Sequence, residues 1–123
     1  MSLTTALILL GLLQIKHMFA DYFLQTPVML SDRARYAHVG RALHCLVHVL
    51  GSALCFWLVG VGFWLGLVVL VAEGVAHYHI DYGKGRWSER SGDSPADASY
   101  WRAFGADQTL HALTYVLMVW MVA

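Results

Sequence analysis

The chain has 123 residues, of which 59% are hydrophobic and only 13% are charged, whereas an average soluble domain is about 45–50% apolar and about 25% charged. A soluble domain of this length would leave too much apolar surface in water, so the composition predicts an integral membrane protein. The mean hydropathy of +0.56 agrees. Eight Lys and Arg residues balance eight Asp and Glu residues, which leaves no basic surface and predicts that nucleic acid is not a partner.

Four apolar segments follow one another along the chain, and each is long enough to cross a hydrocarbon core of roughly 30 Å as a helix. The first ends before Pro27, which cannot continue a helix, and a Gly-rich turn at 60–62 separates the second from the third. We therefore predict an all-α membrane protein, a four-helix transmembrane bundle that forms a single domain over residues 1–123. The predicted spans are about 3–25, 40–59, 63–82 and 100–123, with loops at 27–39 and 83–99.

The basic residues are distributed unevenly between the two sides of this bundle. Seven of the eight lie in or beside the loops at 27–39 and 83–99, and the turn at 60–62 and both ends of the chain carry none. Because cytoplasmic loops are enriched in Lys and Arg, we expect both loops to be cytoplasmic and both termini to be extracytoplasmic.

Ionisable residues recur inside all four predicted spans with a single spacing. Such groups are costly in hydrocarbon and usually face a protein interior. Residues four positions apart lie on one helix face, so each span presents one pair. Each pair lies near the predicted cytoplasmic end of its span, which would bring all of them into one layer. The pairs are His17 with Asp21, His44 with His48, His77 with Asp81, and Asp107 with His111.

Neutral imidazole and carboxylate together suit zinc, iron or manganese, and helix bundles build such centres from ligands on facing helices. Five His and three Asp exceed what one tetrahedral ion needs, so we predict one or two divalent ions, with zinc ahead of iron and manganese. Further polar residues share these faces. Glu73 and Asp107 are candidate general bases, with Lys84 as a third catalytic candidate. Gln25, Arg41, Gln108 and Tyr115 are candidate outer ligands or substrate contacts.

The motifs His-x-x-x-Asp-Tyr-Phe-Leu-Gln (residues 17–25), His44 with His48, His77-x-x-x-Asp-Tyr-x-Lys84 and Asp107-Gln-x-x-His111 resemble those of a family of small bacterial and phage integral membrane proteins of unknown function. The resemblance covers most of the chain and implies a bacterial inner-membrane location, but it carries no reaction with it. More loosely, the arrangement is similar to membrane-bound predicted metal-dependent hydrolases. His79 lies outside the pattern, and its role stays open.

The leading hypothesis is a metal-dependent hydrolase embedded in the lipid bilayer that acts on an amphipathic or lipid-like substrate. One alternative is a non-haem di-iron oxidase or hydroxylase, and another is a non-enzymatic metal-binding or structural subunit of a membrane complex. Copies of the chain could also form a homo-oligomer. A polar network without metal and a bis-His haem site are further alternatives. Lys16 is expected to extend toward the membrane interface, and Cys45 and Cys55 are expected to be packing residues.

Overall fold

The computed structural model describes all residues 1–123, and every regular element in it is helical. The long helices make a closed ring of contacts, in which α1 packs against α3, α3 against α4, α4 against α5, and α5 back against α1. The helices are α1 (Leu3–Tyr22), α2 (Pro27–Leu30), α3 (Val39–Val59), α4 (Phe63–Ser91) and α5 (Ala98–Val122).

Three of the helices, α1, α3 and α4, are long and apolar enough to cross a membrane. Large apolar side chains point outward along their length, for example Leu7, Leu54 and Val68, as in a protein whose surroundings are lipid. The fold is thus all-helical and consistent with an integral membrane protein. Helix α5 has 25 residues but is not among the three, because polar residues such as Asp107, Gln108 and His111 interrupt its apolar sequence.

The interior of the ring is divided into an apolar half and a polar half. The apolar half lies toward the two chain termini and packs residues from all four long helices. The Met1 amine donates to the Ala123 carbonyl, which places both termini at the same end of the molecule. Beyond the apolar half, toward the opposite end, the buried side chains are mostly histidine, aspartate and glutamate. The buried apolar side chains are Leu9, Leu13, Cys55, Phe56, Val69, Tyr115, Met118 and Val119.

The helix boundaries differ from the predicted spans most between α4 and α5. The turn after α3 is as expected, since Gly60 ends the helix with a φ of +77°. By contrast, α4 continues through residues 83–91, which were predicted to be loop, and ends where Gly92 adopts a φ of +64°. The reason is that hydropathy marks where a span leaves the apolar layer, whereas the helix continues until a residue favours the left-handed conformation. The connection from α4 to α5 is therefore only residues 92–97.

The segment between α1 and α3 folds back over the polar end of the ring. Helix α2 begins at Pro27, where the missing N–H costs nothing. The segment approaches the long helices so closely that a Cβ on Gly40 would overlap the Val28 carbonyl, and one on Gly85 would overlap the Arg33 carbonyl. Glycine at these two positions therefore lets backbone from this segment lie directly on α3 and α4.

Candidate metal centre

The four pairs predicted from sequence meet in one layer at the polar end of the ring, which we name the His/Asp layer. All five of its imidazoles are buried. The rings are in direct contact, with centroids 3.9 Å apart for His48 and His77 and 4.2 Å apart for His77 and His111. This packing disfavours a bis-His haem, since a porphyrin must lie between its two axial ligands. The members of the layer are His17, Asp21, His44, His48, His77, Asp81, Asp107 and His111.

One subset of the layer, the Asp21 group, consists of Asp21, His44, His48 and His77, whose ligand atoms lie within 4.8 Å of one another. Asp21 Oδ1 lies 3.2 Å from His44 Nε2 and 3.0 Å from His48 Nε2. Since α1, α3 and α4 each contribute to this group, its geometry depends on the packing of three helices. Three imidazoles and one carboxylate fill the four positions of a tetrahedral ion.

A second subset, the Asp81 group, consists of Asp81, Asp107 and His111. His111 Nε2 lies 3.3 Å from Asp81 Oδ1 and 3.7 Å from Asp107 Oδ1. The other oxygen of Asp81 reaches toward the Asp21 group, at 3.4 Å from His77 Nε2 and 3.7 Å from His44 Nε2. The Asp81 carboxylate therefore lies between the two groups, in the position of a bridging ligand.

The polar atoms of the layer are not all satisfied by one another. His44 Nδ1, His77 Nε2 and Asp107 Oδ1 are buried and have no hydrogen-bond partner, although His77 Nε2 is only 3.4 Å from Asp81. Leaving such atoms unpaired costs free energy. Ligand atoms bound at about 2.0–2.1 Å to a tetrahedral ion are roughly 3.4 Å apart, close to the 3.0–3.7 Å contacts found here. The residues present therefore fit a divalent metal ion.

Two polar residues outside the pairs hold the imidazoles in place. The Tyr115 hydroxyl lies 3.0 Å from His17 Nδ1 and 3.3 Å from His48 Nδ1. Gln108 Oε1 lies 3.1 Å from His17 Nε2, and its amide nitrogen lies 3.2 Å from Asp107 Oδ2. Both residues therefore contact members of the layer without belonging to either metal group. His17 is in the layer, but it belongs to neither metal group and its Nε2 faces Gln108 and Asp21.

A polar cavity of about 200 Å³ adjoins the layer beneath the segment between α1 and α3. Asp21, Asp81 and Asp107 all line it, so both groups are reached from this one cavity. Lys84 also lines the cavity, with its Nζ 3.6 Å from Asp107 Oδ2. The cavity is thus lined by carboxylates at the metal groups and by a cation beside them.

Gln25 and Arg41 also line the cavity but have different roles there. The amide of Gln25 lies 3.5 Å from His44 Nε2 and accepts a bond from Arg33 at 3.1 Å. Arg41 is buried and donates to the carbonyl oxygens of Arg33, Arg35 and Tyr36, which fixes the segment above the cavity. The guanidinium of Arg41 is therefore engaged by backbone.

Glu73 lies one helical turn from His77 on the side away from the cavity, and it does not contact either metal group. Its Oε1 accepts bonds from Lys16 Nζ at 2.9 Å and Ser52 Oγ at 2.8 Å. Lys16 Nζ in turn lies 3.1 Å from the Tyr115 hydroxyl and 3.4 Å from His48 Nδ1. Glu73 therefore reaches the His/Asp layer only through Lys16.

The expectation that Lys16 extends to the interface is wrong, because its side chain is only 9% exposed and pairs with fully buried Glu73. The Lys16 ammonium can be buried at this position because it forms an ion pair with the Glu73 carboxylate. Cys45, expected to be a packing residue, is also within ligand distance of His77 and Asp81. Its position three residues before His48, on the same helix face, was the signal that could have indicated this. His79 is outside the layer, where its Nε2 lies 3.1 Å from the exposed Tyr36 hydroxyl.

Comparison with known families supports the resemblance seen in the motifs. Residues 8–123 match a family described as a protein of unknown function, DUF3307. Because the match covers nearly the whole chain, the protein belongs to this family. No curated protein and no solved structure matches the chain. The likeness to metal-dependent hydrolases therefore stays a prediction.

Proposed function

We propose that this protein is a four-span integral membrane protein of the bacterial inner membrane, with both termini extracytoplasmic and the His/Asp layer near the cytoplasmic face. Helix α5 would be the fourth span. Its polar residues Asp107, Gln108 and His111 point into the layer and not to lipid, since each contacts another member or neighbour of the layer. The ring of contacts that α5 completes with α1 and α4 supports this arrangement.

We further propose that the layer holds one or two divalent ions, with zinc as the first candidate and iron or manganese as alternatives. The Asp21 group offers four protein ligands, the number typical of a closed structural site. The Asp81 group offers three and borders the cavity, as catalytic sites do when a position is kept for water or substrate. Asp81, which contacts both groups, would connect them.

The function that this geometry supports best is hydrolysis of an amphipathic or lipid-like ester or phosphoester. The observation that carries the proposal is a three-ligand group opening onto a cavity that also holds a lysine. When bound there, a divalent ion would lower the pKa of its water ligand and polarise the substrate. Asp107, whose Oδ1 has no hydrogen-bond partner, would hold the ion through one carboxylate oxygen and accept the proton of the attacking water through the other. Lys84 would stabilise the negative charge that develops on the substrate.

Two residues would act from further away. Glu73 would hold Lys16 against His48 and Tyr115, so its contribution would be to the positions of the imidazoles. Gln108 would keep the Asp107 carboxylate turned toward the layer by donating to its Oδ2. Such outer contacts orient ligands and tune the ion that they hold.

The test uses the full chain in phosphatidylcholine nanodiscs, first as purified, then after chelation, and then after zinc, iron or manganese is restored. Release of p-nitrophenol from long-chain p-nitrophenyl esters and phosphoesters is measured. We expect turnover to be lost on chelation, to return with metal, and to fall by about 100-fold or more in Asp107→Asn. The exposed Asp32→Asn serves as the matched control and should keep full activity.

Three results would contradict the hydrolase proposal. Turnover that survives chelation would exclude a metal-dependent reaction. Oxygen consumption by the iron-loaded protein, without ester cleavage, would favour the di-iron oxidase or hydroxylase. Stoichiometric metal without turnover of either kind would favour a metal-binding or structural subunit of a membrane complex.

A further inference from the structure

A second depression borders the metal centre from the outside of the ring. It runs between α4 and α5, has a volume of about 790 Å³, and is largely apolar. We name it the α4–α5 groove. Small residues form much of its lining, since Gly83 on α4 and Ser99, Ala103 and Ala106 on α5 all border it. The groove therefore exists because two facing helix surfaces lack large side chains.

The groove adjoins the polar cavity, and the two share part of their lining. Lys84 and Asp107 line both the groove and the cavity. This ion pair therefore separates the groove, on the outside of α4 and α5, from the metal groups inside the ring. The Asp107 side chain is only 9% exposed, and its Oδ1 has no hydrogen-bond partner. Asp107 also belongs to the Asp81 group, so this wall is formed in part by a candidate metal ligand.

The charges and the interface residues at the groove indicate what could occupy it. Arg102 lines the groove and forms no ion pair, and Lys84 adds a second cation. Trp87 lies at the same end and is exposed, as expected of a residue at the level of the headgroups. Cations at one end and apolar surface along the rest complement an anionic head with a hydrocarbon tail.

We propose that the α4–α5 groove binds the hydrocarbon tail of an anionic membrane amphiphile, whose head passes Lys84 into the cavity beside the Asp81 group. This inference rests on the proposed function and names its substrate class: a lipid-derived monoester or acid drawn sideways from the cytoplasmic leaflet. Tail contacts are no stronger in the groove than in the bilayer. The groove therefore selects and orients the molecule, and the head supplies the affinity.

The experiment measures where the chain of an anionic amphiphile lies on the protein. The metal-loaded full chain in phosphatidylcholine nanodiscs is irradiated with a palmitate that carries a diazirine on its chain, and labelled residues are mapped by mass spectrometry. We expect label to concentrate on the groove residues of α4 and α5. Dodecyl phosphate should compete for the site, whereas dodecanol, which lacks the anionic head that supplies the affinity, should not.

Two leucine variants provide a matched pair. Gly83 and Gly105 are both exposed glycines with open space around them, but only Gly83 lines the groove. Gly83→Leu fills the groove and should lower labelling by roughly tenfold, while Gly105→Leu should leave it unchanged. Equal labelling of all lipid-facing helices, or equal effects of the two variants, would overturn the proposal.

Metal content is measured on the same samples, so that failure of the tail site can be distinguished from failure of the metal-dependent hydrolase. A protein that binds metal but shows no groove-specific labelling would refute the tail site and leave the metal centre standing. Groove-specific labelling of a protein that binds no metal would support an amphiphile site and contradict the metal-dependent hydrolase.

Discussion

Tyr115 is the residue whose hydroxyl connects two histidines of the His/Asp layer, at 3.0 Å from His17 Nδ1 and 3.3 Å from His48 Nδ1. A partner at Nδ1 fixes which way an imidazole turns and leaves Nε2 for a metal ion. The positions of these imidazoles thus depend on a residue that is not itself a candidate metal ligand.

Removal of this hydroxyl should weaken metal binding without unfolding the chain. We expect Tyr115→Phe to lower metal affinity by about 10- to 100-fold, the usual effect of losing an outer contact, as measured by competition with a chromogenic chelator. Tyr100→Phe, at the start of α5 and outside the layer, is the control. Equal affinities for wild type and Tyr115→Phe would show that the hydroxyl does not position the ligands.

At the scale of elements, the buried pair of Lys16 and Glu73 joins α1 to α4, with the Lys16 side chain 9% and the Glu73 side chain 0% exposed. Ser52 adds α3 to the same contact through Glu73 Oε1. Helix α3 passes close to Lys16 at Gly51, where a Cβ would lie 2.6 Å from Lys16 Cγ. Three helices are therefore held together around one ion pair.

Removing only one charge of this pair should destabilise the protein more than removing both charges. Lys16→Met leaves an uncompensated buried carboxylate and should lower the free energy of unfolding by about 3–5 kcal/mol, whereas adding Glu73→Gln should restore most of the loss. Arg86→Met, which breaks an exposed pair with Glu89, should cost about 1 kcal/mol or less. Denaturant titration in mild detergent measures the wild type, the two single variants, the double variant and Arg86→Met, and additive effects of Lys16→Met and Glu73→Gln would refute the coupling.

The segment between α1 and α3 depends on glycine where it crosses α4. A Cβ on Gly85 would overlap the Arg33 carbonyl, whereas one on Gly83 meets nothing within 4 Å. Gly85→Ala should therefore displace the segment and speed tryptic cleavage after Arg33 and Arg35, while Gly83→Ala should not. Identical digestion of the two variants would show that the close approach does not hold the segment.

For the whole molecule, the membrane orientation that we propose rests on the basic residues at the end that carries the His/Asp layer. The two cysteines of the chain are buried, so single cysteines introduced elsewhere can report accessibility. A membrane-impermeant maleimide should label Ser2→Cys in intact cells and Ser94→Cys only after the membrane is opened. The reverse pattern would place the layer, and any substrate that reaches it, on the outer side.

The sequence predicts the polar layer because the i,i+4 spacing of each pair, and the position of each pair along its span, are both visible in the sequence. Each i,i+4 pair occupies one face, and pairs at equal depth meet once the helices pack. Pairing across helices is not readable in this way, which is why the position of Lys16, 57 residues from Glu73, was predicted wrongly. The division into two metal groups also depends on side-chain directions that only the packed helices determine.

Elemental analysis of the detergent-purified protein, beside two variants, tests most directly whether the His/Asp layer holds metal. We expect one or two equivalents of zinc, iron or manganese in the wild type, none in the double variant His44→Ala, Asp81→Ala, and at most one in His111→Ala, which spares the Asp21 group. A folded wild-type protein that was never exposed to chelator and contains no metal would contradict the account, and would leave the layer as a polar network that fixes how the helices pack.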